Sequence, residues 1–250
     1  MVFLSVAMGA FNEEASIEAV ILNHVQLLRE LQPRVSEWEI VCVDDGSTDA
    51  TPQILDRLQS RLPELRVIRH KTNRGIAATQ VHLYREVRGT YVYFTGSDGQ
   101  WPPENLTRML ELVLVGADLV VGVRENRKEV YNLQRQFISF AFNLLPHLLI
   151  GVKTGDAGSV KLGRRELFTQ PLVSRSPFAE VERIVQAHQA GYKVDFIPIR
   201  FHKRPGGKAK GATWRNVVSS TGDLFRCFLV YRVGLHARVI SRRFGPGRCQ

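Results

Sequence analysis

The sequence has few cysteines, and their spacing gives them no common role. Cys42, Cys227 and Cys249 are the three cysteines in 250 residues, and no Cys-x-x-Cys motif occurs. A disulfide framework and a structural zinc site are therefore not expected, and a reducing, cytosolic setting fits best. The amino-terminal apolar run has no basic region before it and ends at Asn12-Glu13-Glu14, so we expect no signal peptide.

Long apolar runs are also absent. A membrane-spanning helix needs roughly 20 apolar residues, but Arg226 and Arg232 interrupt the carboxyl-terminal apolar segment. Polar residues and a proline break the segment 137–152, which we expect to be a core helix or a shallow interfacial one. The sequence has no internal repeat, low-complexity tract or dividing linker. With 44% hydrophobic residues, the chain can bury one substantial core, so we expect one large domain.

Acidic residues are almost absent from the last fifth of the chain. Residues 201–250 contain 11 Lys and Arg against one acid, Asp223, whereas the charges of residues 1–200 cancel. A basic segment beside a neutral domain indicates an anionic partner. Because apolar residues are interleaved with cations over 213–240, we predict an amphipathic helix suited to an anionic membrane surface. A solubilising tail is the alternative, and no RNA-binding or helix-turn-helix pattern indicates nucleic acid.

Strand-like and helix-like segments alternate in the first half of the chain. Strands are predicted at residues 2–8, 38–43, 65–69, 90–95 and 117–123, and helices at residues 14–30, 50–61, 75–88 and 103–115. This alternation favours a mostly parallel sheet covered by helices. In a parallel sheet the carboxyl ends of the strands share one edge, which is where α/β proteins place ligand chemistry.

Polar residues follow the predicted strands at this edge. Asp44 and Asp45 end one strand, Asn73 lies in the loop after the next, and Asp98 and Gln100 follow a third. An Asp and a Gln two residues apart in an extended loop can face one side and offer hard oxygens to Mg²⁺ or Mn²⁺. An isolated Asp-x-Gln is also common in ordinary turns. The combination of several such strand ends predicts a ligand site.

Four segments, in this order, resemble the motifs of inverting family 2 glycosyltransferases with the GT-A fold. They are Phe11-Asn12-Glu13-Glu14, Val43-Asp44-Asp45-Gly46-Ser47-Thr48-Asp49, Asn73-Arg74-Gly75 and Ser97-Asp98-Gly99-Gln100-Trp101-Pro102-Pro103-Glu104. The resemblance is closest to the polyprenyl-phosphate (dolichol-phosphate) hexosyltransferase branch. It continues through residues 121–124, 135–139 and 155–159 to 204–210, and so covers residues 2–212.

The resemblance implies a single Rossmann-like α/β domain with a mostly parallel sheet over residues 1–212, followed by a basic amphipathic helical segment over 213–250. It also implies a metal-dependent hexosyltransferase of cell-envelope glycan biosynthesis. The donor would be a nucleotide-diphosphate sugar of the GDP-mannose or UDP-glucose type, and the acceptor a polyprenyl phosphate. Two alternatives stay open: a saccharide hydroxyl as acceptor, and a degenerate homologue that binds nucleotide sugar without turnover.

The expected location follows from the lipid acceptor. Members of this branch often carry transmembrane helices after the catalytic domain, and this sequence shows none. We therefore expect a cytoplasmic protein that associates peripherally with an anionic membrane surface on the cytoplasmic face. A membrane-protein partner or a homo-oligomer would help it to reach the lipid, and no nucleic-acid partner is expected.

The resemblance also assigns roles to individual residues. Donor nucleotide binding is expected at Gly9, Phe11, Glu13, Asp45 and Ser97. Phe11 can pack beside a base, and Glu13 and Asp45 can accept hydrogen bonds from base or ribose. The alternatives are a favourable charge at a helix amino terminus for Glu13 and helix capping for Asp45. Gly9 stands where the family usually has proline.

Catalysis and metal binding are assigned to two neighbouring segments. The implied catalytic residues are Asp98 and Arg204, and Mg²⁺ or Mn²⁺ would be held by Asp98 and Gln100. Arg204 lies in a Gly-rich segment that resembles a lid closing over donor and acceptor. Gly96 departs from the family pattern Asp-x-Asp-x-Gln because it replaces the first carboxylate. We therefore expect weak metal binding in the absence of nucleotide.

The acceptor phosphate is expected to contact Arg124, Arg135 and Ser139. Arg135 and Ser139 are four residues apart, so they share one face of a predicted helix, as a common ligand requires. The alternative for the two arginines is surface salt bridging. A lipid phosphate is an anion at neutral pH and needs little help from a base. A hydroxyl acceptor needs one, for which Asp98 and Asp156 are the candidates.

Overall fold

A computed structural model describes residues 2–126, 133–204 and 214–234. Its strands are β1 (Val2–Ala10), β2 (Val35–Asp44), β3 (Leu65–Arg69), β4 (Tyr91–Phe94), β5 (Leu119–Arg124), β6 (Lys161–Arg164) and β7 (Val194–Ile199). Its helices are α1 (Ile17–Glu30), α2 (Thr51–Gln59), α3 (Ile76–Glu86), α4 (Glu104–Leu114), α5 (Leu133–Ile150), α6 (Arg165–Thr169), α7 (Ala179–Gln189) and α8 (Trp214–Tyr231). Every predicted strand and helix of the first half is present, with ends that differ by at most three residues.

One seven-stranded sheet runs through the described residues, in the order β3-β2-β1-β4-β6-β5-β7. The pairs β1–β2, β1–β4, β2–β3 and β5–β7 are parallel, whereas β6 lies antiparallel between β4 and β5. The prediction of an α/β fold with a mostly parallel sheet is therefore confirmed. β6 was not predicted, because Lys161-Leu162-Gly163-Arg164 is too short and polar to stand out as a strand.

Helices cover both faces of the sheet. One apolar layer contains side chains of α1, α2 and α4, and the other contains side chains of α3, α6, α7 and α8. In β1, Leu4, Val6 and Met8 belong to the first layer and Ala7 to the second. Successive residues of a strand face opposite sides, so a strand between two helical layers is apolar throughout. This burial explains why β1 is apolar except at Ser5, whose buried hydroxyl donates to Glu39 at 2.6 Å.

The carboxyl ends of β1, β2 and β4 meet at one edge of the sheet. The backbone N–H of Asp45 donates to the carbonyl of Ala10 at 2.8 Å, and the N–H of Thr95 donates to the carbonyl of Ala7 at 3.1 Å. These bonds hold the loops after the three strands side by side. The side chains that the sequence places at strand ends are thereby brought into one region.

One face of α8 packs against the rest of the domain. Asp223 accepts hydrogen bonds from the backbone N–H groups of Arg175 and Ser176, both at 2.8 Å, and the Tyr231 hydroxyl donates to Glu182 at 2.7 Å. The one acid among the carboxyl-terminal cations is thus buried against the domain. A helix lies at 214–231, but the predicted basic amphipathic segment as a whole is not confirmed, because residues 205–213 and 235–250 lie outside the described ones.

The predicted boundary after residue 212, between a catalytic domain and a carboxyl-terminal segment, also stays a prediction. The helix α8 follows this boundary but packs against the domain before it. Within the described residues, no helix combines the length and the apolar character that crossing a bilayer requires.

Candidate active site

A cavity of about 430 Å³ opens where β1, β2 and β4 end. Its lining includes Gly9, Phe11, Glu13, Asp45, Ser97, Asp98 and Arg204. These are all the residues that the sequence assigned to donor binding and to catalysis. Gln100 and Arg124, assigned to metal and acceptor, are not among the described residues that line it. The structure therefore brings the residues predicted to bind the donor and those predicted to act in catalysis together in one cavity.

Arg204 lies between two carboxylates of the cavity. Its guanidinium is 2.7 Å from Oδ2 of Asp98 and 3.1 Å from Oε1 of Glu13. The Arg204 side chain is 20% exposed, so solvent only partly screens these ion pairs. Its Nε atom is buried and has no hydrogen-bond partner in the part of the chain that the structure describes. The guanidinium can therefore donate a further hydrogen bond without releasing either carboxylate.

Ser97 joins the loop after β4 to the end of β1. Its hydroxyl donates to the carbonyl of Gly9 at 2.8 Å, and its own carbonyl accepts from the hydroxyl of Ser16 at 2.9 Å. These bonds fix the backbone that carries Asp98. In this structure the Ser97 side chain positions a loop, and its contact with a nucleotide stays a prediction.

An indole ring fills the space beside Gly96, where the family pattern has a carboxylate. A Cβ atom at residue 96 would lie 2.9 Å from both Cδ1 and Nε1 of Trp101. Trp101 stacks on Phe201, with 5.6 Å between the ring centroids. The absence of a side chain at Gly96 is therefore matched by tight aromatic packing, which the sequence did not reveal. An aspartate at this position would have to displace the indole.

The loop after β4 offers a divalent cation one carboxylate, that of Asp98. The side-chain amide of Gln100 donates to the carbonyl of His202 at 2.8 Å, which leaves its oxygen as the atom able to ligate. Across residues 2–126, 133–204 and 214–234, no group of three His, Cys, Asp or Glu is arranged to hold a metal. Mg²⁺ commonly uses one or two carboxylates and completes its shell with phosphate oxygens and water. This donor set fits a cation that binds together with a diphosphate.

The charge of the cavity also favours such a cation. Glu13, Asp45 and Asp98 are acidic, and Arg204 is the basic residue among the described lining residues, so these side chains sum to −2. A diphosphate would add further negative charge, and uncompensated charge is costly in a partly buried site. A divalent cation would offset much of this repulsion.

Three donors fix the carboxylate of Asp45. The backbone N–H groups of Arg74 and Gly75 donate to it at 2.9 Å each, and Nδ1 of His70 lies 2.6 Å from Oδ1. Nε2 of His70 lies 2.8 Å from Nδ1 of His82, so an imidazole pair extends from the cavity wall towards the surface. Asp45 therefore orders the loop before α3. His70 was not predicted as a site residue, although its position directly after β3 places it at the same edge of the sheet.

Arg124 forms a buried ion pair instead of a surface salt bridge. Its Nε and Nη2 atoms contact the two oxygens of Asp156, both at 2.5 Å, and its side chain is 10% exposed. The guanidinium lies 5.6 Å from the Trp101 ring and 5.5 Å from the Phe201 ring. Both oxygens of Asp156, a candidate base, are thus engaged. The predicted contact of Arg124 with an acceptor phosphate is not tested by this arrangement and stays a prediction.

The other two predicted acceptor residues lie on a helix, as their spacing indicated. Arg135 and Ser139 are both within α5. Their side chains lie outside the described ones, so their contact with a phosphate stays a prediction.

A buried ionic network beside the cavity was not predicted. Glu180 of α7 lies 2.9 Å from Lys161 and 3.3 Å from Arg183. Burial alone would raise the pKa of Glu180, but the two cations hold that pKa below its ordinary value. Lys161 lies 5.3 Å from the ring of Phe94, which lines the cavity, and donates to two carbonyls of the turn before β6. The network therefore supports one wall of the site.

The fold and the cavity define an α/β protein with a charged ligand site at the carboxyl edge of a mostly parallel sheet. The model of glycosyl transferase family 2 matches residues 5–170. The chain belongs to this family. The matched range includes Gly9 to Asp98, so it contains the whole described cavity lining except Arg204 and Asn216.

Curated relatives confirm the resemblance to the lipid-phosphate branch. The chain is 30% identical over 229 residues to an undecaprenyl-phosphate 4-deoxy-4-formamido-L-arabinose transferase of Pectobacterium carotovorum, covering 90% of this chain and 67% of the relative. A Pseudomonas fluorescens protein of the same description is 30% identical, with 90% and 65% covered. A dolichyl-phosphate beta-glucosyltransferase of Trichomonas vaginalis is 26% identical over 248 residues, with 93% and 75% covered. The chain thus spans about two thirds of the length of the bacterial relatives.

Solved structures confirm the expected fold. Glucosyl-3-phosphoglycerate synthase from Mycobacterium tuberculosis, in complex with Mn²⁺, UDP-glucose and phosphoglyceric acid, superposes with a TM-score of 0.70 at 19% identity, covering 91% of this chain and 80% of that one. The same enzyme with Mn²⁺, UDP and phosphoglyceric acid gives a TM-score of 0.66 at 20% identity, covering 89% and 78%. At this identity the similarity concerns the fold alone.

Proposed function

We propose that the chain transfers a hexose from a nucleotide-diphosphate sugar, of the GDP-mannose or UDP-glucose type, to a polyprenyl phosphate. The proposal rests chiefly on the position of Arg204. Its guanidinium is held by Asp98 and Glu13 within a cavity at the carboxyl edge of the sheet. The names of the relatives specify undecaprenyl phosphate and dolichyl phosphate, which supports a lipid-phosphate acceptor.

The nucleoside is proposed to bind beside Phe11 and Asp45. Phe11 offers an aromatic surface to a base, and Asp45 offers a fixed carboxylate to base or ribose. Because β2 and β4 flank β1 on opposite sides, the loop with Asp45 and the loop with Asp98 form two ends of one cavity. The diphosphate then lies towards Asp98 and Arg204.

The proposed reaction is a single in-line displacement with inversion at the anomeric carbon. An oxygen of the lipid phosphate forms the new bond, and the bond to the diphosphate breaks with its electron pair going to the nucleoside diphosphate. Arg204 is placed to offset the charge that develops on the departing diphosphate, because its buried Nε still lacks a partner among the described residues. The acceptor is already an anion, so no side chain needs to remove a proton.

Asp98 is the side chain proposed to hold Mg²⁺ or Mn²⁺, with the Gln100 oxygen as a further ligand. When bound, such a cation would offset charge on the leaving diphosphate. The structures with Mn²⁺ and UDP on the same fold support a divalent ion. Because Asp98 is already paired with Arg204, metal binding without nucleotide competes with that ion pair, and we expect it to be weak.

The proposed membrane-facing surface consists of the exposed apolar residues of α5 and α8. Phe140 and Leu148 on α5 are 60% and 66% exposed, and Val218 and Phe225 on α8 are 54% and 61% exposed. The two helices pack against each other, and α8 also exposes the side chain of Arg226, which pairs with Asp223 at 2.9 Å. Further cations of the carboxyl-terminal fifth follow in the sequence. Apolar residues beside cations suit an anionic membrane surface. Peripheral association with the cytoplasmic face is therefore part of the proposal, and a membrane-protein partner or homo-oligomer stays a prediction.

Vesicle co-sedimentation tests this surface. Removal of everything after residue 212 would delete Asp223, the acceptor for the N–H groups of Arg175 and Ser176, and would expose the apolar residues that α8 covers. Paired surface substitutions are therefore the sharper probe. Phe140→Ser with Phe225→Ser should reduce binding to anionic vesicles, whereas Leu114→Ser with Val115→Ser, exposed on and after α4, should not. Equal binding by both double variants would contradict the assignment.

A saccharide hydroxyl is the less supported acceptor. Such an acceptor needs a general base, and both oxygens of Asp156 are engaged by Arg124. Asp98 would be the remaining candidate, but it is paired with Arg204.

Donor screening by thermal shift tests the donor part of the proposal. UDP, GDP, UDP-glucose and GDP-mannose are each added with Mn²⁺. Either the two uridine nucleotides or the two guanosine nucleotides should raise the melting temperature of the protein. A ligand at 100 times its dissociation constant stabilises by about 2.7 kcal/mol, which is readily measured. No shift with any of the four nucleotides would contradict the proposal.

A further inference from the structure

Gln80 is a buried amide in the wall of the cavity with no evident role in the fold. It lies on α3, is 7% exposed and lines the cavity. Its Oε1 atom is buried and has no hydrogen-bond partner in the described part of the chain. Nearly all buried polar atoms in folded proteins are paired, and an unpaired one destabilises the fold. Gln80 itself lines the cavity, so rotation of its side-chain amide can turn this atom towards a ligand group.

The position of Gln80 along α3 places it at the Asp98 end of the cavity. Gln80 and Tyr84 are four residues apart and therefore share one face of the helix. The Tyr84 ring packs edge-on against Phe94, with 5.8 Å between centroids. Phe94 ends β4 and lines the cavity. Gln80 is one helical turn closer than Tyr84 to the start of α3. It therefore lies over the end of β4, next to the loop that carries Asp98.

We propose that Gln80 recognises a hydroxyl group of the transferred hexose and so contributes to the choice of sugar. The inference rests on the proposed function, in which the diphosphate lies towards Asp98 and Arg204 and the nucleoside lies beside Asp45. The hexose carried by that diphosphate then adjoins Gln80. An amide both donates and accepts hydrogen bonds, as a sugar hydroxyl does. A site built around such a bond disfavours a sugar that lacks the hydroxyl, because the amide is again left unpaired.

Gln80→Leu tests the proposal because leucine retains most of the volume and removes the amide. Without ligand, the variant should melt at a higher temperature than the wild type, since an unpaired buried amide is replaced by an apolar group. Isothermal titration calorimetry is then done with UDP-glucose and GDP-mannose, and with UDP and GDP. Affinity for the nucleotide sugar that the wild type binds should fall roughly three- to tenfold, while affinity for the matching nucleoside diphosphate stays unchanged.

Gln186→Leu is the matched control. The Oε1 atom of Gln186 also lacks a partner among the described residues, but its Nε2 donates to the carbonyl of Pro171 at 3.0 Å and to the hydroxyl of Tyr231 at 2.9 Å. This amide has a role in the fold and lies away from the cavity. Its replacement should lower the melting temperature and leave all four affinities unchanged.

Two results would overturn the proposal. One is a Gln80→Leu variant that binds the nucleotide sugar as tightly as the wild type does. The other is an equal loss of affinity for nucleotide sugar and nucleoside diphosphate, which would place Gln80 at the nucleoside. If the wild type binds none of the four ligands, the proposed function itself is contradicted, so the two failures are distinguishable.

Discussion

The two ends of the cavity hold their carboxylates in different ways. At the end proposed for the nucleoside, Asp45 accepts hydrogen bonds from two backbone N–H groups and from the buried His70. At the end proposed for the diphosphate, Asp98 and Glu13 share the side chain of Arg204. Backbone donors are fixed by the fold, whereas a long side chain can rotate to a new partner. The nucleoside end is therefore preorganised, and the diphosphate end can exchange its counter-charge for that of a ligand.

This difference explains how the site can accommodate a departure from the family pattern. Gly96 lies at the diphosphate end, beside the indole of Trp101. A diphosphate supplies its own oxygens to a cation, so a missing protein carboxylate can be partly replaced by the ligand. A nucleoside brings no such charged groups, and its binding depends on donors and acceptors that the protein has already placed.

The largest effect is expected from Asp98→Asn. The change removes the one carboxylate that the loop after β4 offers to a cation and weakens the hold on Arg204, so transfer should fall by about 100-fold or more. Transfer is measured with the preferred nucleotide sugar and undecaprenyl phosphate, and the fold is checked by circular dichroism. Asp56→Asn, at an exposed ion pair with Arg69, is the control. Full activity of Asp98→Asn would remove this residue from the mechanism.

Arg204→Ala should be almost as severe, on the order of 100-fold in kcat, because the guanidinium is the described cation of the cavity. Arg204→Lys should recover part of the rate, since it restores the charge without the forked geometry. Without nucleotide, Arg204→Ala should bind Mn²⁺ more tightly than the wild type, because Asp98 is released. Arg200→Ala, at an exposed position nearby, should change neither quantity. Unchanged Mn²⁺ affinity would show that Arg204 does not compete with metal.

His70→Ala probes the nucleoside end. Loss of the contact with Asp45 should raise the dissociation constant of the nucleoside diphosphate by about tenfold and leave kcat nearly unchanged, because a hydrogen bond to a charged group is removed. His70→Asn, which retains an N–H donor near Asp45, should recover part of the affinity. A matching decrease in kcat would indicate that the two ends are not separate.

The smallest effect is expected from Gly96→Ala. Its Cβ would press on the Trp101 indole at 2.9 Å, so transfer should fall a few-fold through displacement of the loop with Asp98, while nucleoside affinity is unchanged. Gly96→Asp should not improve metal use, because the indole must move before the new carboxylate can approach Asp98. A lower Mn²⁺ requirement in Gly96→Asp would contradict this steric argument.

The sequence predicted the fold and the residues of the cavity to different extents. Apolar runs separated by helix-like segments predicted the first five strands, because strands covered by helices on both faces are mostly apolar. Strand-end motifs placed Glu13, Asp45 and Asp98 in one region, which the structure confirms. Partners distant in sequence could not be predicted. The contact between Trp101 and Gly96, the engagement of Asp156 by Arg124, and the unpaired amide of Gln80 depend on three-dimensional packing.

The proposed reaction requires a lipid phosphate to accept the hexose. In the most direct test, the full chain is incubated with Mn²⁺ and with the radiolabelled form of the nucleotide sugar that it binds. Vesicles containing either undecaprenyl phosphate or undecaprenol are then added as the acceptor. We expect labelled glycolipid with inverted anomeric configuration from undecaprenyl phosphate and none from undecaprenol. Binding of the donor without transfer to undecaprenyl phosphate, or equal transfer to undecaprenol, would contradict it.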